Sequence, residues 1–144
     1  VLGKLSYIPD AVQYGLFLKG DGRVFVQLRK KISGPPDYMT ATSRGMVASG
    51  VATHVAATYD GFVIRIYFNG VLDSTSPTSG DDIDTKADQP QLEVWLTLGN
   101  LITDAPPEWV SPFNGLIDEV AIYPRALPAE RIRFHAINRR LQDT

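Results

Sequence analysis

Few side chains in this sequence are spaced for covalent chemistry. Histidine occurs only at His54 and His135, and neither has a partner at metal-ligand or nucleophile–base spacing. His54, beside Val55 in a strand-like run, reads as structural. Cysteine is absent, which excludes disulfides, thiolate metal sites and a thiol nucleophile. There is no Gly-rich phosphate loop, no Gly-x-Ser-x-Gly elbow and no His-Glu-x-x-His zinc helix. Glycoside hydrolysis needs two carboxylates converging across a cleft. Asp118 and Glu119 are neighbours, so a regular strand sends them to opposite faces. The expectation is a protein that is not an enzyme.

Binding is better served than catalysis. In 62–69, Phe62, Ile64, Ile66 and Phe68 share one face and Val63, Arg65, Tyr67 and Asn69 the other. In 92–99, Leu92, Val94, Leu96 and Leu98 form the apolar set, against Glu93, Trp95 and Thr97. The apolar sets are the expected core. The second sets combine aromatic planes with hydrogen-bonding groups, the combination that sugar recognition uses: rings stack on C–H faces while amides and guanidinium groups fix hydroxyls. The candidate ligand-binding residues are therefore Arg65, Tyr67, Asn69 and Trp95, with Trp109 at the sheet's rim. Asp81, Asp82, Asp84 and Asp88 lie in a polar stretch that matches no Ca²⁺-loop spacing and reads as a solvated loop.

The elements that must position these residues follow from turn chemistry and alternation. Asp60-Gly61 and Asn69-Gly70 punctuate β-rich runs, and Gly and Asn tolerate the positive φ of tight hairpin turns. Strands are expected at 14–19, 23–29, 38–42 (weaker), 53–59, 62–69, 92–99 and 116–123, with 71–74 extending the sheet. The stretches 74–90 and 100–112 read as long loops, and 128–137 as a short helix opened by Pro128. Many strands with one terminal helix mean an all-β antiparallel two-sheet sandwich.

The chain has 144 residues, enough for one domain with its own core, and the hydrophobic and charged fractions of 44% and 21% are ordinary for a globular protein. A net charge of −2 leaves no basic footprint for nucleic acid or an anionic membrane. No apolar run approaches the ~18 residues of a membrane span, so no membrane insertion is expected.

Two blocks carry a resemblance: His54-Val55-Ala56-Ala57-Thr58-Tyr59-Asp60-Gly61 with Arg65-Ile66-Tyr67-Phe68-Asn69-Gly70, and Phe113-Asn114-Gly115-Leu116-Ile117-Asp118-Glu119-Val120-Ala121-Ile122-Tyr123 leading into Arg125-Ala126-Leu127. They resemble the C-terminal part of a laminin-G-like domain of the concanavalin A-like lectin/glucanase superfamily. One departure is the lack of the Trp that precedes the His-Val-Ala strand in such modules; Ala52 stands near that place.

The resemblance implies a jelly roll, here N-terminally incomplete over residues 1–144, with a strand near Asp118 whose usual N-terminal partner is missing. A partner chain completing the sheet edge is the corresponding expectation. It also implies Asp118 as a ligand of a structural calcium ion. The expected function is a non-catalytic carbohydrate-binding or adhesion module of a larger exported protein. It would meet glycan or extracellular protein at the cell surface or in the periplasm. The alternative is a protein–protein interaction or structural accessory domain.

Overall fold

Two antiparallel sheets form because runs of alternating apolar residues are joined by turns that let each strand fold back on the last. The computed structural model describes residues 2–6, 12–32, 35–84, 94–102, 109–110 and 112–139. Its elements are β1 (Leu2–Ser6), β2 (Val12–Leu18), β3 (Arg23–Arg29), β4 (Tyr38–Met46), β5 (Val55–Tyr59), β6 (Val63–Phe68), β7 (Val71–Pro77), β8 (Val94–Leu98), β9 (Leu101–Ile102), β10 (Trp109–Val110) and α1 (Ala129–Arg139). The larger sheet has the order β4-β3-β2-β1-β8, the smaller β5-β6-β7, and β9 pairs with β10. The β6–β7 hairpin turns on Asn69 and Gly70, with φ of 50° and 80°. Positive φ at both positions is the signature of the primed turns whose twist matches the strands they join.

The core lies between the sheets. Val24, Val26 and Leu28 of β3 and Met39 and Ala41 of β4 face Ile64 and Ile66 of β6, and both isoleucines are fully buried. Tyr14, Leu16 and Leu18 of β2 and Val55, Ala57 and Tyr59 of β5 pack against this cluster and are partly buried. Burial therefore fades across the larger sheet. Leu96 and Leu98 of β8 are 53% and 51% exposed. Their register explains this. Leu98 pairs with Leu2, which pairs with Leu16, then Val26, then Ala41. Leu96 runs through Lys4 and Tyr14 to Leu28 and Met39 in the same way. Both leucines thus occupy the core face as alternation predicts, yet the three-stranded sheet does not reach over them.

Polar side chains join the sheets where ladders fail. Asp73 of β7 accepts from Arg44 N and Gly45 N of β4, both at 2.8 Å, so one carboxylate spans the two sheets. A register shift between Arg23 and Phe25 would leave Val24 N unpaired. Ser43 fills that place, accepting from Val24 N at 2.9 Å while donating to Gly45 O at 2.7 Å.

Several sequence expectations need correction. Residues 116–123 form no strand; they run exposed, with Glu119 in the left-handed region at φ 49°. An isolated run of alternating apolar residues has no ladder partner to hold it extended. β1 was not anticipated, and Trp109, placed in a loop, lies in β10 opposite Ile102. The polar stretch after β7 is not simply solvated: Lys31 N donates to Asp82 O and Asp84 N to Arg29 O, stitching 82–84 to the end of β3. Asp88 and residues 92–93 lie outside the described residues.

Ile66→Ala should cost about 2–5 kcal/mol, since it empties a fully buried site. Phe62→Ala, at a residue 70% exposed, should cost under about 0.5 kcal/mol. Urea unfolding of the two variants checks that the core row of β6 ends at Ile64 and that Phe62, expected in the core, lies exposed in the turn before the strand.

Candidate functional site

On the outer face of β5–β6–β7 the sequence expects a platform of Arg65, Tyr67 and Asn69. The structure breaks it up. Tyr67 is only 4% exposed, so its ring is not presented to a ligand. A register shift between Ile66 and Tyr67 interrupts the β6–β7 ladder here. Ile132 and Ala136 of α1 are buried, and a side chain at Gly70 would come within 2.7 Å of the Arg133 backbone. The helix therefore sits on this end of the outer face, where Tyr67 lies. Asn69 is a turn residue: its Oδ1 accepts from His54 N at 3.1 Å and its own N–H donates to His54 O at 2.8 Å, closing the open end of β5–β6.

Arg65 remains at the surface but is committed to Asp60. Its guanidinium donates to Asp60 Oδ2, and Asp60 Oδ1 accepts from Phe62 N and Val63 N at 3.0 and 2.9 Å. The carboxylate thus organises the Asp60-Gly61 turn while holding Arg65 along the strand. The Arg65 hydrogen bond, then those from Phe62 and Val63, lower the Asp60 pKa to about 2. Trp95 pairs with Leu5 in the ladder and Trp109 with Ile102. Their side chains lie outside the described residues.

The carboxylates near the loop ends are also engaged. Asp37 takes Lys30 Nζ at 2.6 Å, which lowers the Asp37 pKa and raises that of Lys30. Asp81 is 3.7 Å from the same ammonium group, and Asp84 is 3.4 Å from Arg29 Nε. The Tyr59 hydroxyl lies 2.6 Å from Asp81 O and 2.8 Å from Gly61 O, tying this loop to the β5–β6 turn. Asp118 is exposed, with Oδ1 accepting from Glu119 N at 2.8 Å. Among the described residues no three His, Asp or Glu side chains converge as metal ligands.

A different surface presents rings and polar groups together: the outer face of β2–β3–β4. Here Phe17, Phe25 and Thr42 form one rung, and Gly15, Gln27 and Thr40 the next. A side chain at Gly15 would sit 2.3 Å from Phe17 Cζ, so the Phe17 ring occupies the space that the glycine leaves open. The ring lies over its own strand. Phe25 is next to it, with centroids 6.2 Å apart and planes tilted by 34°. Both rings and Gln27 are partly exposed, and Thr40 is exposed. The alternation of Phe25 and Gln27 with buried Val24, Val26 and Leu28 marks this face in the sequence. The role of Gly15 does not show there, because nothing in the one-dimensional pattern says which ring fills its space.

Comparison with known proteins gives one family match. A laminin-G family model, described as concanavalin A-like lectin/glucanases superfamily, matches residues 5–133. The chain is similar to a crystallised S-layer domain-containing protein from Clostridium thermocellum, with 22% identity and a TM-score of 0.48. The match covers 94% of this chain and 64% of that one. No curated protein matches.

The Asp60 geometry sets an acid dependence. Its folded-state pKa lies below the ordinary 3.8. Its contribution to stability is therefore complete above pH about 5 and is lost as pH falls through 3.8 towards about 2. Asp60→Asn should remove this part of the acid limb. Urea unfolding of wild type and variant between pH 2 and 6, with curves that converge at the acid end, checks it; parallel curves would contradict the pairing.

Proposed function

We propose that this chain, which belongs to the concanavalin A-like lectin/glucanases superfamily, is a non-catalytic module that binds carbohydrate. One observation carries the reading: the Phe17 ring laid over Gly15, beside Phe25, Gln27, Thr40 and Thr42. A ring lying along a sheet offers its face to the C–H side of a sugar, and stacked aromatics supply desolvated contact at little conformational cost. The neighbouring amide and hydroxyls offer donors and acceptors for sugar hydroxyls. The two rungs hold no charged side chain, which suits a neutral glycan better than an acidic one.

Catalysis is disfavoured by the carboxylates. Asp37, Asp60, Asp81 and Asp84 are each ion-paired or close to a cation, and Asp73 is bound by backbone N–H groups. A glycosidase needs one free carboxylate and one that holds a proton near the scissile bond. The reading places the module outside the cell, where glycan surfaces are met, as part of a larger exported protein. No helix among the described residues is long and apolar enough to cross a membrane. A protein-binding reading has one observation in its favour, the exposed apolar side chains Val71 and Leu72 of β7 with Phe134 and Ile137 of α1.

A glycan array with the wild-type chain tests the function, and two variants test the surface. Phe17→Ala should weaken binding of the retained neutral glycan by about fivefold or more, since losing a stacked aromatic costs over about 1 kcal/mol. Gly15→Ala should weaken it too by displacing the ring, while Phe17→Tyr keeps binding. Circular dichroism melting checks that the variants stay folded. A wild-type chain that binds no glycan overturns the function. Binding that is indifferent to Phe17 moves the site elsewhere.

A further inference from the structure

An asparagine followed by glycine can lose its side-chain amide without any enzyme. The glycine nitrogen attacks the asparagine side-chain carbonyl carbon, and glycine favours this because it has no side chain to obstruct the approach and few limits on its backbone. Aspartate followed by glycine closes the same ring more slowly. The sequence holds four such pairs: Asp21-Gly22, Asp60-Gly61, Asn69-Gly70 and Asn114-Gly115. Ring closure requires the side chain to swing over the next peptide nitrogen. A pair is therefore protected wherever the fold holds either group elsewhere.

Three of the pairs are held in hairpin turns. Asp21 Oδ1 accepts from Arg23 N at 3.0 Å, and Gly22 N donates to Lys19 O at 2.9 Å. Asp60 is bound by the Arg65 guanidinium and by the N–H groups of Phe62 and Val63. Asn69 Oδ1 accepts from His54 N at 3.1 Å, and its own N–H donates to His54 O at 2.8 Å. Gly70 is further confined: a Cβ there would lie 2.7 Å from Arg133 Cα and 3.1 Å from Ala136 Cβ, because α1 packs over the turn. An isoaspartyl link at 69, which adds a methylene to the backbone, has no space in that turn.

Asn114-Gly115 differs on each count. Both residues are exposed and belong to no strand or helix. Among the described residues neither makes a hydrogen bond. Gly115 lacks the left-handed φ that the hairpin imposes on Gly70. What borders Gly115 most closely is the Phe113 ring, 2.7 Å from where a Cβ would begin. That neighbour is a side chain that can turn away, whereas Gly70 meets the backbone of a helix.

We propose that Asn114 is a site of spontaneous deamidation. The Gly115 N to Asn114 Cγ bond forms, the Cγ–Nδ2 bond breaks, and the Gly115 amide proton leaves with the side-chain nitrogen as ammonia. Water then opens the resulting succinimide at either carbonyl, giving aspartate or isoaspartate at 114. Either product adds one negative charge to a chain of net charge −2, in a stretch that already carries Asp118 and Glu119. Isoaspartate also lengthens the backbone just before residues 116–123. The inference does not rest on the glycan reading, whose residues lie on β2, β3 and β4.

Incubation of the intact chain at neutral to mildly alkaline pH, with and without urea, tests it. Peptide mapping by mass spectrometry follows both asparagines, and isoaspartyl methyltransferase labelling reports the isoaspartate. In the folded chain Asn114 converts at least about tenfold faster than Asn69, which must wait for its turn to open. In urea the two rates come together, since both asparagines are followed by glycine and then an aliphatic residue. Asn114→Gln, at an exposed position without hydrogen bonds, removes the folded-state label because glutamine closes a ring far more slowly. Gly115→Ala slows conversion in both states. Three outcomes overturn the proposal. They are an Asn114 that stays intact when folded yet converts in urea, equal rates at 69 and 114 in the folded chain, and a label that persists in Asn114→Gln.

Discussion

The rest of the structure depends on the burial of Ile64 and Ile66 against β3 and β4. These two side chains are fully enclosed, and each faces residues that are at most 7% exposed. Apolar burial stabilises by roughly 25 cal/mol per Å² removed from water, so this seam sets which faces of the two sheets must meet. Every other placement follows from it. β2 and β5 border the seam and are partly covered; β8 lies beyond it.

Around that seam, polar side chains replace backbone partners the ladders cannot supply. Asp73 takes two N–H groups of β4 from across the sandwich, and Ser43 both accepts and donates at the bulge beside Val24. Asp60 serves two N–H groups and one guanidinium at a single turn. A buried N–H without a partner carries a full desolvation penalty, which is why these acidic and hydroxyl groups sit where register shifts or turns break the pairing. Asp60 and Asp73 thereby serve as structural acceptors.

The same geometry shapes the functional reading. Where β3 and β4 pack their inner face against β6, their outer face is held as a pre-organised surface, and binding to such a surface loses little conformational entropy. The two outer faces here are not equivalent. On the smaller sheet α1 sits over the end that holds Tyr67, and Arg65 is bound to Asp60. On the larger sheet a glycine lets one aromatic ring lie along the strand beside another, with an amide and two hydroxyls on the adjoining positions.

Turn chemistry and period-2 alternation made much of the fold legible in the sequence. The β2–β3, β5–β6 and β6–β7 hairpins and α1 stand within a few residues of where Gly, Asn-Gly, Asp-Gly and Pro128 put them, because those signals act between near neighbours in the chain. The core faces of β3 and β6 were legible for the same reason, whereas on β8 the expected core residues Leu96 and Leu98 are about half exposed and Thr97, expected on the outer face, is buried. What only the tertiary structure decided is which faces are covered. Tyr67 has an outward, aromatic, strand-like pattern, yet the helix that sits on its end of the face starts some sixty residues later. Leu96 and Leu98 have a core pattern, yet among the described residues no strand lies over them. Residues 116–123 have the pattern of a strand without a ladder. Alternation states which side a residue takes; exposure depends on what arrives from elsewhere in the chain, and that is a long-range fact no local pattern contains.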